Sequence, residues 1–146
     1  MANRSRKAEI EYKKYRQQEL PSSSCPFCAI ANGNKEDEQF LEEGKYFIVI
    51  KVRFRYTYWD EQNVTDQLML VPKKHINSIS KLPLKAAEEF MNFLGKYEDK
   101  GYSIYARTSG ATSRTIPHQH THLIKVQGRS KKFMLHLRKP YVLIMR

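Results

Sequence analysis

Three of the chain's five histidines fall within five residues, in the run His118-Gln119-His120-Thr121-His122. On an extended segment, side chains alternate between faces, so His118, His120 and His122 would share one face and Gln119 and Thr121 the other. At a rise of about 3.3 Å per residue, the outer rings lie roughly 13 Å apart, far enough to serve two neighbouring sites. A row of imidazoles fills a core poorly, because each buried ring must find polar partners. The run therefore predicts a strand that carries chemistry. Metal ligation is one reading. Phosphoryl chemistry is the other, since a neutral imidazole nitrogen is both a nucleophile and a proton carrier near pH 7.

The two cysteines stand together in Cys25-Pro26-Phe27-Cys28. A single close pair cannot make a disulfide framework; it suits a metal or a redox couple in a reducing compartment. A tetrahedral zinc site needs two further ligands, and histidines are the available source. His75 ends Val71-Pro72-Lys73-Lys74-His75, just past a buried-looking strand, and His118 opens the histidine run. A Cys2His2 site from Cys25, Cys28, His75 and His118 would staple the N-terminal segment to the sheet. The rival reading, a thioredoxin-like redox pair, lacks the strand–helix pattern that such a fold places around its cysteines.

A chain of 146 residues with 40% apolar composition supports one domain around a single core. No stretch reads as a membrane span, and the basic N-terminus has no apolar run after it as a secretory signal would. A cytoplasmic protein is expected. Residues 3–20 read as a polar helix with a weak apolar stripe (Ile10, Tyr12, Tyr15, Leu20), giving a basic helical extension over 1–21 and a main domain over 22–146. Strands are predicted at Tyr46–Ile50, Phe54–Trp59, Gln67–Val71, Ser103–Arg107 and His118–Val126, with a short last one at Tyr141–Met145. Between them, Leu82–Tyr97 reads as an amphipathic helix with Leu84, Ala87, Phe90, Met91 and Leu94 on its apolar side. The predicted class is α+β: an antiparallel sheet of about five strands with one long helix and an added N-terminal helix.

Taken in order, Cys25-Pro26-Phe27-Cys28, then Leu68-Met69-Leu70-Val71-Pro72-Lys73-Lys74-His75-Ile76, then His118-x-His120-x-His122 resemble the histidine-triad (HIT) superfamily over roughly residues 25–126. The resemblance implies an antiparallel sheet with a long helix, usually paired into a homodimer, and nucleotide hydrolase or nucleotidyl transferase activity. It implies that His120 attacks an α-phosphate to form a nucleotidyl-histidine, which water or another acceptor then resolves. His122 would hydrogen-bond the phosphate. Zinc-containing members draw ligands from the positions of Cys25, Cys28, His75 and His118, the set already suggested by spacing. A backbone carbonyl before the triad is expected to hold the nucleophilic ring. The Ser109–Thr115 loop offers amides and hydroxyls to a phosphate, with Ser113, Arg114 and Thr115 as candidates and Arg114 also placed to stabilise transition-state charge. Phe54 and Asp60 are candidates for the nucleoside, near the part of the sheet where the family holds base and ribose. The chain departs from the family pattern at Ser113-Arg114, Arg107, Gln67, Gln119 and Thr121.

The net charge of +11 favours anionic partners such as nucleotides or nucleic acid. Three functions stay in play: an enzyme acting on a nucleotide, an enzyme acting on a nucleic-acid-linked adenylate, and a catalytically silent nucleic-acid-binding module.

Overall fold

The computed structural model describes residues 4–18, 25–33, 40–111 and 114–128, and the backbone of 134–138 and 141–145. Helix α1 spans Arg6–Gln18 and helix α2 spans Pro26–Ala31, with Pro26 in its first turn where a missing N–H costs nothing. Strands β1 (Phe40–Glu43), β2 (Phe47–Lys51), β3 (Tyr58–Trp59) and β4 (Gln62–Pro72) follow. A 3-10 turn at Ile79–Lys81 leads into α3 (Leu84–Glu98), and then come β5 (Ser103–Ala106), β6 (Thr121–Gln127), β7 (Met134–Arg138) and β8 (Tyr141–Met145). The main sheet is antiparallel throughout, in the order β1-β2-β4-β6-β5, with β3 folding back on β4; β7 and β8 pair with each other. This is the expected α+β class, with one strand more in the main sheet than the sequence suggested.

Alternation along β2 covers the sheet on both faces. Phe47 and Val49 join Leu68, Leu70 and Leu123 under α3, which contributes Ala86, Phe90, Phe93 and Tyr97. Ile48, Ile50 and Val71 point the other way, against Phe27 and Ile30 of α2. The functional side chains gather on this second face, which α2 covers only in part. Between β1 and β2, Gly44 lies close against α3: a Cβ there would crowd the ring of Phe93 and Glu89 Oε1, the oxygen that accepts from the Tyr46 and Phe47 amides.

Two local expectations shift. The buried face of α3 is Ala86-Phe90-Phe93-Tyr97, while Leu84 is 86% and Met91 63% exposed. The helix begins only at Leu84, and the i, i+4, i+7 spacing that meets the sheet starts from Ala86. The segment Phe54–Trp59 is a strand only at Tyr58–Trp59. Ahead of it, the Tyr56 amide donates to the Gln67 side chain and the Phe54 carbonyl accepts from Arg4, so neither enters a strand ladder. Asp60 and Glu61, both at positive φ, make the two-residue turn between β3 and β4.

Helix α1 is held to this segment. Tyr12 and Tyr15 pack on Phe54 with ring centroids 5.6 and 5.3 Å apart, and the Ser5 amide donates to Thr57 Oγ1 at 2.8 Å. Leu20, the last residue of the expected α1 stripe, lies outside the described residues. Among the described residues, no helix is long and apolar enough to cross a membrane.

Candidate functional site

The three histidines are buried together, His118 at 0%, His120 at 8% and His122 at 6% exposure. Only His122 lies in β6, opposite Met69 of β4 and Tyr105 of β5. His118 and His120 precede the strand, because the chain there is tied elsewhere: the Gln119 amide donates to the Ile76 carbonyl at 2.6 Å. The run is thus an extended lead-in and the first residues of a strand, and its rings meet different surroundings.

At one end, the ligand atoms of Cys25, Cys28, His75 and His118 all lie within 4.8 Å of one another. Cys28 Sγ is 3.3 Å from His75 Nδ1 and 3.5 Å from His118 Nδ1, and Cys25 Sγ is 3.4 Å from His118 Nδ1. In a tetrahedral zinc site with Zn–S near 2.3 Å and Zn–N near 2.0 Å, a sulfur–nitrogen edge measures about 3.5 Å. The donor set and its spacing fit. His118 Nε2–H donates to the Pro72 carbonyl at 2.8 Å, which fixes the ring so that the Nδ1 lone pair faces the sulfurs. Burial holds the His118 pKa down at about 4, so its ring is in the neutral form that ligates metal. Burial pushes the Cys28 thiol up, so a metal would have to displace its proton.

At the other end, His120 Nδ1–H donates to the His118 carbonyl at 2.8 Å. That contact assigns the proton to Nδ1 and leaves the Nε2 lone pair bare. Burial, with the positive fields of Arg114 and Arg107, depresses the His120 pKa, so the ring is neutral. A neutral imidazole with a fixed tautomer and a bare nitrogen is a nucleophile. His122 stands edge-on to it at 5.2 Å between centroids, its pKa lowered to about 3 chiefly by burial. Tyr56 and Tyr105 flank His122 at 5.7 and 6.2 Å, and Arg107 donates to the Tyr56 hydroxyl at 3.0 Å.

The remaining candidates are placed differently. Arg114 donates to the carbonyls of Ile116, Asn77 and Pro117 at 3.2, 2.9 and 2.8 Å, and more weakly to that of Arg107 at 3.5 Å. Its guanidinium knits the loop together instead of standing open to a phosphate. Thr115 is exposed, and its hydroxyl lies 2.8 Å from Tyr12 Oη of α1. Ser113 lies outside the described residues. Phe54 is covered by Tyr12 and Tyr15, and Asp60 is exposed at the hairpin tip, where left-handed backbone sets its role. Sequence reasoning missed Tyr105 and the contacts of Gln67. The signal for Gln67 was there: a carboxamide opening the apolar stretch Leu68-Met69-Leu70-Val71 needs buried partners.

No protein-family model and no curated protein matches this chain. Solved structures do resemble it. A HIT family hydrolase from Legionella pneumophila aligns over 73% of this chain and 94% of its own, with TM-score 0.52 and 22% identity. One from Clostridium thermocellum aligns over 77% and 98%, with TM-score 0.54 and 21% identity. A zinc-bound histidine triad family protein from Mycobacterium smegmatis covers 76% of this chain and 81% of its own, with TM-score 0.54 and 20% identity. Antiparallel sheet, long helix and histidine run together give the chain the histidine-triad fold.

Proposed function

We propose that the protein is a nucleotide hydrolase or nucleotidyl transferase that works through a covalent nucleotidyl-histidine on His120. The observation that carries this reading is the 2.8 Å bond from His120 Nδ1 to the His118 carbonyl, which leaves Nε2 as a bare nucleophile on a buried, neutral ring. Nε2 attacks the α-phosphorus, and the bond from phosphorus to the leaving group breaks as its electrons depart with that group. Water or another acceptor then attacks the same phosphorus and returns the ring to its starting state. His122, beside His120, donates a hydrogen bond to the phosphate oxygens.

Zinc is the ion proposed for Cys25, Cys28, His75 and His118, where it supplies structural cross-linking between α2, the end of β4 and the entry to β6. Similarity to HIT family hydrolases supports the enzymatic reading, as does a net charge of +11. Incubation with an adenylated donor is expected to give an acid-labile AMP adduct on His120. In His120→Ala the adduct is lost and turnover falls by at least about 1,000-fold, as for other catalytic nucleophiles. Absence of adduct together with unchanged turnover in His120→Ala would reject this function. A screen of AMP amidates, dinucleoside polyphosphates and adenylated DNA identifies the leaving group, and the basic charge favours the nucleic-acid-linked adenylate among them.

A further inference from the structure

Gln67 opens the apolar part of β4 and is 1% exposed. Its side chain makes two contacts that together leave no freedom of orientation. The Tyr56 amide lies 2.7 Å from one terminal atom, and an N–H can only donate, so that atom is the carbonyl oxygen Oε1. The other terminal atom must then be the amide nitrogen Nε2, which lies 3.2 Å from His122 Nδ1. An amide nitrogen can only donate, so His122 Nδ1 must accept and cannot carry a proton. In a neutral imidazole the proton then sits on Nε2. Tyr56 is in turn fixed by its hydroxyl bond from Arg107 and by its packing on Trp59 and His122.

The two reactive histidines are thereby set in opposite tautomers. His120 carries its proton on Nδ1, through the His118 carbonyl, and exposes a bare Nε2. His122 carries its proton on Nε2 and exposes a donor. We propose that Gln67 is a positioning residue that locks His122 as an uncharged hydrogen-bond donor to the phosphate, so that attack and phosphate binding are divided between the rings before substrate arrives. The assignment of the tautomer rests on geometry alone; its catalytic use rests on the function proposed for His120.

The test is nitrogen-15 NMR of histidine-labelled protein. In the native chain His122 is expected to show Nδ1 unprotonated and Nε2 protonated; a protonated Nδ1 would overturn the proposal. Gln67→Glu keeps an acceptor for the Tyr56 amide but turns an acceptor toward His122, so Nδ1 is expected to gain a proton. In Gln67→Leu, kcat on the adenylated donor is expected to fall by about 10- to 100-fold, the usual cost of losing an orienting partner. Unchanged kcat would remove the catalytic use. A native chain with the assigned tautomer but no turnover rejects the function of His120 and leaves the lock standing. The spectrum of the native protein decides the tautomer even where a variant fails to fold.

Discussion

His118 and His122 are the same residue type four positions apart, both buried, yet their surroundings make opposite uses of an imidazole. Around His118, three further donors converge and one ring nitrogen is bonded to the Pro72 carbonyl, so the remaining lone pair faces sulfur. Around His122, no thiol lies among its described contacts; a carboxamide and two tyrosine rings surround it instead. The first arrangement gathers four donor atoms, and the second gives the ring one polar partner and aromatic neighbours. What separates the two rings is the identity of their partners, since burial and residue type are alike.

The largest effect expected from breaking this division comes at the closed end. Cys25→Ser should drop zinc content in purified protein well below one per chain and lower stability by several kcal/mol, on the order of 10 °C in melting temperature. Zinc content unchanged from the native protein would refute the four-donor site. Below the melting range of the variant, adduct formation on His120 should persist, which is what keeps the two ends distinct.

A smaller effect belongs to the open end and to acid. The folded His122 ring binds its proton more weakly than an unfolded one, with a pKa of about 3 against an ordinary value near 6.5. As pH falls below 6.5 the unfolded chain takes up that proton first, so stability declines progressively until about pH 3. Chemical denaturation in the presence of a chelator, which removes metal release from the comparison, should show a shallower acid slope for His122→Gln than for the native chain. Equal slopes would mean that His122 is not buried in its neutral form.

The smallest effect tests a residue between the ends. Arg114→Ala should cost about 2 kcal/mol, from carbonyls left without their charged donor, with KM for the adenylated donor unchanged. Arg114→Lys should not restore the loss, because a point charge cannot span carbonyls that a planar fork reaches together. A raised KM at native stability would return Arg114 to the phosphate.

Strands β2, β4, β5 and β6, the long helix and the four-donor set were legible because they rest on period and spacing, while β1 and β7 were not foreseen. The unbroken apolar run Phe47, Ile48, Val49 and Ile50 announces a strand, and a lone Cys pair with two well-placed histidines limits the ligands to few combinations. The misreadings arose where a side chain replaced a backbone partner. Phe54–Trp59 has strand composition, yet Arg4 and Gln67 capture its backbone groups, and both act from a distance in sequence. For Arg114 the polar loop suggested a phosphate ligand, and only the folded path shows the four carbonyls that also converge on it. On α3, Phe90 and Leu94 pack as expected, but Leu84 and Met91 face outward and Ala86, Phe93 and Tyr97 pack instead, because the exposed residues are as apolar as those that pack.

His120 Nδ1 donates to the carbonyl of His118. That acceptor is a main-chain atom, present whatever side chain occupies position 118, so no point substitution can delete it. The aim of the His120 ring is set by the course of the backbone and by whatever preserves that course: the Gln119 amide on Ile76, the clasp of Arg114 and the ring of His118 on Pro72. Drift in sequence can therefore erode the orientation of His120 only by bending the chain, never by erasing a partner.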